Sequence, residues 1–141
     1  MSVLAVAKIM TYCGMIDDMA AFFVGLTGSF YPFVAPIIAA LGAFITGSGT
    51  STEVLLGGLQ TAAAQQIGVS EFWLAAANSL GAGIGKILSP QCIATAAAAV
   101  NLVGQDSKLL GGVIKWALLE LVLACLLVGL LGGVLVPILG V

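Results

Sequence analysis

An all-α membrane protein built from interrupted helices is what this sequence predicts, on three observations. Of its 141 residues, 61% are hydrophobic and only 7% are charged, against about 25% charged in a soluble domain. Too little polar surface is available to face water, so the lipid bilayer is the expected solvent. The apolar stretches run in pieces of about half a membrane thickness at 1.5 Å per residue. Two of the junctions between pieces, "GSGTSTEV" and "SLGAGIGKILSPQ", carry the residues that end one helix and start another.

The charged residues narrow the function classes. The cations are Lys8, Lys86, Lys108 and Lys115, with no arginine and no histidine, and the net charge is −2. Nucleic-acid binding needs a clustered basic face, so it is not expected. A histidine-based metal site or catalytic triad is excluded by composition. Cys13, Cys92 and Cys125 are widely spaced with no CxxC, which fits small apolar packing residues. No nucleophile–base pair is visible, and neither an enzyme activity nor a cofactor is expected. The opening "MSVLAVAKIM" lacks the basic start and cleavage site of a signal peptide and reads as the tail of a membrane helix.

Four regions follow in order. Residues 1–28 hold the end of a transmembrane helix, Ser2 to Tyr12, and a short helix, Ile16 to Leu26, with Asp17 and Asp18 in its first turn, where the helix dipole favours negative charge. Residues 29–66 open on "GSFYPFVAPII", whose prolines predict a fresh helix near Pro36. Phe33 to Thr46 and Val54 to Gln65 then flank a polar tip at 47–53. Residues 67–104 begin after the lysine-free loop "QQIGVSE". Their helix, Phe72 to Leu80, is expected to dissolve over 79–91 before Cys92 to Val103 resumes. Residues 105–141 hold the polar "GQDSK" loop and one uninterrupted spanning helix, Trp116 to Val136. Trp73 and Trp116 are expected at the membrane interfaces. The alanine runs "QTAAAQQ" and "ATAAAAV" are expected as packing faces.

Irregular backbone at membrane depth must be buried in protein or line a wet cavity. At the first break Gly47 and Gly49 end a half-helix, and Thr50 with Glu53 spells the T-x-x-E of a capping box. At the second, Gly81, Gly83 and Gly85 are expected to loosen the backbone, with Ser89 as N-cap and Pro90 in the first helical position. Both breaks aim a helix N-terminus into the membrane interior. Such a terminus offers free N–H donors and about half a positive charge, hence an anion site. Paired half-helices converging near the midplane are the pattern of secondary transporters for anionic substrates. Lys86 lies beside the second break, where an ionisable group at depth is a functional candidate as a carboxylate counter-charge. Its alternative is a structural pair with Glu53.

The stretches "LGAFITGSGTSTEVLLGGLQTAAAQQIGVS" and "LAAANSLGAGIGKILSPQCIATAAAAVNLVGQDS" resemble the lactate permease family of bacterial membrane transporters. The likeness runs from Tyr12 to Ser107, and its joint markers are TGSGTS, the run Ala75 to Asn78, and GK-x-x-SPQ. It implies a proton symporter for lactate and similar 2-hydroxy monocarboxylates such as glycolate, in the inner membrane. It also implies an inverted-repeat fold, in which 29–66 is a re-entrant helical hairpin and 67–104 a discontinuous transmembrane helix. The family's substrate-facing tips carry over as Gly47, Ser48, Thr50 and Ser51, with Lys86, Ser89 and Gln91 in the second break. Glu53 departs from the asparagine frequent at that position and is the candidate for proton coupling. Family members are several times longer, so the sequence looks like their C-terminal portion. The missing N-terminal half is then a partner, and a homodimer is another way to cover the bare tips. The alternatives are an inert or structural membrane fragment, or a related carboxylate transporter with another substrate.

Lys108 and Lys115 flank "GQDSK", whereas "QQIGVSE" has no lysine, so the positive-inside bias puts 104–108 in the cytoplasm and the last helix runs outward to Val141. A cysteine placed at Ser107 in a background without the native cysteines should react with an impermeant thiol reagent only from the cytoplasmic side. Labelling from the outside alone would invert the topology.

Overall fold

A computed structural model describes the backbone of residues 2–101 and 104–139 and the side-chain surroundings of residues 4–101 and 104–132. Seven α-helices and no strand occur among the described residues: α1 (Ser2–Tyr12), α2 (Met15–Thr27), α3 (Tyr31–Thr46), α4 (Gly49–Ile67), α5 (Glu71–Leu88), α6 (Pro90–Ala99) and α7 (Asp106–Leu139). A single 3₁₀ turn, Gly28–Phe30, joins α2 to α3. Two stretches are long and apolar enough to cross a membrane, Met15–Thr46 and Asp106–Gly132. The expected segment end at Val103 and the chain end at Val141 lie outside the described residues.

The first helices begin and stop where local chemistry directs. Gly14 separates α1 from α2 at φ 71°, a left-handed conformation that glycine adopts without steric cost. The proline expectation needs correcting. α3 starts at Tyr31 with Pro32 in its first turn, and Pro36 lies inside the helix. Pro32 takes the position where its missing N–H costs nothing. Pro36 gives up one bond, to the carbonyl of Pro32, and is buried against a neighbouring helix that holds it in place.

That neighbour is α5, and the second correction lies there. α5 continues as helix through Gly81, Gly83 and Gly85 to Leu88, and the chain breaks only at Ser89, φ −63° and ψ 141°. Gly81 and Gly85 are buried. A Cβ at Gly81 would overlap the Pro36 carbonyl, and one at Gly85 the Ala40 carbonyl. These glycines therefore let two backbones touch, as small residues do between membrane helices. They do not loosen the helix. Gly83 points elsewhere and meets nothing within 4 Å.

The contacts also set direction and register. Gly81 meets Pro36 and Gly85 meets Ala40, four residues further along each helix, so α3 and α5 run parallel. Six residues on, the same register brings the end of α3 at Thr46 level with Gln91 at the start of α6. α4 returns antiparallel and packs against both, its end capped by Gly68 in the left-handed conformation. Ala20, Ala35, Ala63, Ala64 and Ala77 pack with Tyr31, Leu59, Leu74 and Val128 at the heart of the core, and the five alanines permit this close spacing. Of the two alanine faces expected, the first buries Ala63 and Ala64, while the second buries Ala97.

α7 closes the bundle on one side. It starts at Asp106, not Trp116, because Asp106 is favourable in a first helical turn. The Phe33 ring fills the notch at Gly129. Trp73 packs on α7: its indole N–H donates to the Val128 carbonyl at 3.1 Å, next to the notch at Gly132. Trp116 is 73% exposed, and Leu118, Leu119, Val122 and Leu123 continue an outward apolar face suited to lipid or to further protein.

Gly85→Ala should destabilise the protein by about 1–3 kcal/mol, since backbone cannot move aside cheaply. Gly83→Ala should leave stability unchanged or raise it by up to ~1 kcal/mol through helix propensity. Thermal unfolding in detergent reads both, and equal midpoints for the two variants would refute the close-contact account.

Candidate functional site

The end of α3 and the start of α4 form the first tip. Gly47 turns the chain at φ 67° with its N–H still bonded to the Ala43 carbonyl, and Ser48 is extended at φ −139° and ψ 118°. Ser48, not Thr50, is the N-cap: its hydroxyl accepts from the Ser51 N–H at 3.3 Å. Thr50 and Glu53 are already inside α4, so they form no capping box. The hydroxyls of Thr46 and Thr52 lie 3.0 Å apart, and that of Thr52 also donates to the Ser48 carbonyl at 3.0 Å. The Thr52 N–H takes the same carbonyl at 3.1 Å. Of the four donors a helix leaves open at its start, those of Gly49 and Thr50 remain for a ligand.

At the second break, Ser89 is fully buried and caps α6. Its hydroxyl donates to the Lys86 carbonyl at 2.8 Å and accepts from the Cys92 N–H at 3.3 Å. The Ile93 N–H reaches the Ser89 carbonyl at 3.1 Å. Pro90 has no N–H to offer. The donor left at this terminus is the Gln91 N–H.

The two tips meet. A Cβ added at Gly47 would lie 2.6 Å from Gln91 Oε1 and 3.4 Å from Gln91 Cβ. Beside this contact, a cavity of about 400 Å³ is lined by Gly47, Ser48, Lys86, Gln91, Cys92 and Thr95. Its one charged lining residue is Lys86. Each break joins the end of one helix to the start of the next, so the dipole ends largely offset one another. The Lys86 ammonium, with no carboxylate in the lining, sets the sign of the cavity as positive. The arrangement suits a small anion that also carries hydroxyl groups.

Four of the eight residues expected at the site line this cavity: Gly47, Ser48, Lys86 and Gln91. Thr50 is exposed on the first turn of α4 and does not line the cavity, Ser51 is half-buried with its N–H spent on the cap, and Ser89 is occupied by its own helix ends. Lys86 is exposed in the last turn of α5, not sunk in an unwound stretch, and Glu53 is exposed as well. Cys92 and Thr95 were not anticipated. Thr95 could have been found by spacing, since it stands one turn after Gln91 on α6 and donates to the Gln91 carbonyl at 2.8 Å. No group of three or more metal-ligating side chains occurs among the described residues.

Comparison with known proteins places the sequence in a family. The L-lactate permease family matches residues 1–135. Glycolate permease GlcA of Escherichia coli (strain K12) is 45% identical over 117 residues, covering 83% of this chain and 21% of the relative. The L-lactate permease of the same organism is 46% identical over the same shares, and that of Bacillus subtilis (strain 168) 46% over 72% of this chain and 18% of its own length. The chain thus spans about a fifth of the length of these curated relatives. No solved structure matches it significantly. By the extent of the family match and the identity shared with these membrane permeases, the chain belongs to the L-lactate permease family, a family of transporters and not of enzymes.

Proposed function

We propose that this segment forms one wall of the substrate site of a proton symporter for lactate and related 2-hydroxy monocarboxylates such as glycolate. The observation that carries the proposal is the meeting of the two helix breaks, Gly47 just before the start of α4 and Gln91 in the first turn of α6, in one cavity with Lys86. A carboxylate there accepts a charge-assisted hydrogen bond from the Gln91 N–H, with the open N–H groups of Gly49 and Thr50 on the adjoining first turn of α4. Lys86 supplies the counter-charge. The Ser48 and Thr95 hydroxyls face the same cavity and suit the substrate's 2-hydroxyl. Lactate and glycolate differ by one methyl group, so a site that grips the shared carboxylate and hydroxyl serves both. The names of the relatives, L-lactate permease and glycolate permease, support that substrate class.

In this proposal α3 and α4 are the re-entrant hairpin, and α5 and α6 the discontinuous helix, of one inverted repeat. The remaining walls, and the setting that desolvates Lys86, come from transporter sequence beyond this segment, in a multi-pass protein of the bacterial inner membrane. Glu53, one turn into α4, is the candidate to carry the proton, since protonation removes its repulsion of an anion arriving at the same tip.

Two measurements on the full-length transporter containing this segment test the scheme. Lys86→Ala should raise the apparent KM for lactate by roughly ten- to hundredfold, the worth of a hydrogen bond to a charged group, while Lys108→Ala should be nearly silent. Equal transport by both variants would remove Lys86 from the site. Glu53→Gln should abolish accumulation driven by a pH gradient yet leave lactate–lactate exchange in vesicles. Retained pH-driven accumulation would place the proton elsewhere.

A further inference from the structure

Four polar side chains are buried in the described core: Thr52, Gln60, Asn78 and Ser89. Thr52 and Ser89 are satisfied within the two tips. Gln60 and Asn78 differ. Gln60 Nε2 and Asn78 Oδ1 are buried without a partner among the described residues, on side chains 0% and 2% exposed. An unpaired polar atom at such depth costs about 1–3 kcal/mol, and a native core rarely leaves one unexplained.

Three independent registers put these two side chains at one level of the core. Gln60 on α4 stands eight residues before the turn glycine Gly68, and Asn78 on α5 stands eight residues after Ser70, so the antiparallel hairpin sets them level. The contacts of Gly81 with Pro36 and Gly85 with Ala40, carried back along the parallel pair α3 and α5, put Asn78 level with Phe33, beside Tyr31. The Tyr31 hydroxyl in turn donates to Gln60 Oε1 at 3.0 Å. That bond engages the amide oxygen and leaves Nε2 as the unpartnered end of the Gln60 amide.

The free pair is one N–H donor and one carbonyl acceptor, both neutral. We propose that Gln60 and Asn78 hold a buried structural water, which accepts from Gln60 Nε2 and donates to Asn78 Oδ1. Tyr31 is the positioning residue that keeps the amide donor turned toward it. Buried waters typically make two to four such bonds. A monovalent cation fits less well: it would meet the amide hydrogens of Gln60, and all six carboxylate residues of the chain are exposed, so none stands in the core to balance it. The water pins α4 to α5 midway along the hairpin, and through Tyr31 to α3. It thereby steadies the two elements that carry the tips. The inference does not depend on which substrate the tips bind.

The test uses the full-length transporter in lipid nanodiscs. Water-edited solid-state NMR should show magnetisation transfer from water to the Gln60 side-chain amide, whereas an amide that stays dark to water overturns the proposal. Asn78→Leu and Gln60→Met should each lower the unfolding midpoint by several degrees, and the double variant should recover most of the loss, because it leaves no orphan. Additive losses would mean that the two side chains share no site. Tyr31→Phe should weaken the water transfer to the Gln60 amide, and unchanged transfer would remove Tyr31 from its positioning role. The midpoint should be the same in sodium, potassium and choline chloride; a sodium- or potassium-dependent rise that Asn78→Leu abolishes would make the occupant a cation.

Discussion

The contact of α5 on α3 through Gly81 and Gly85 is the constraint from which the rest of the structure follows. Where a Cβ would strike the carbonyls of Pro36 and Ala40, two backbones touch. Such a contact tolerates no sliding, because the two glycine notches fit only one register. In lipid no hydrophobic force drives helices together, so packing at this distance contributes a large share of the association. α7 uses the same device with larger knobs, Phe33 at Gly129 and Trp73 at Gly132.

Register turns this packing into a site. Because α3 and α5 run parallel and fixed, the end of one and the end of the other fall at the same height. Gly47 and Gln91 therefore meet, though 44 positions separate them in sequence. Each tip is then finished locally, by Ser48 capping α4 and Ser89 capping α6. The caps engage both serine hydroxyls and leave a small set of backbone donors at the starts of α4 and α6. In the proposed site the chemistry offered to an anion is mostly main chain, so its position would depend on helix register more than on any single side chain.

The differences between expectation and structure share a physical origin. Three glycines in five residues, Gly81 to Gly85, look locally like a helix breaker, since glycine costs about 1 kcal/mol in a helix interior. Burial against α3 outweighs that cost for Gly81 and Gly85, and local propensity cannot see the neighbour. Pro36 stays helical for the same reason, and Trp73 turns inward because its indole finds a carbonyl on α7. At the first tip two capping residues compete within a short reach, Ser48 and Thr50. Gly47 decides between them, because its left-handed turn ends α3 at once and brings Ser48 into the capping position.

By itself the sequence determined the solvent, the helical class, the residue content of both tips and the family, because composition, capping residues and short motifs are local properties. It also placed Ser89 and Pro90 at the second break, since that signature acts on its own few residues. Only the tertiary structure decided that α5 stays helical to Leu88, that Cys92 and Thr95 share the cavity with Lys86, and that Gln60 and Asn78 are buried at one level of the core. Those outcomes rest on which helix lies against which, at what register. Register is set by contacts between residues far apart in the chain, and a one-dimensional pattern does not record them.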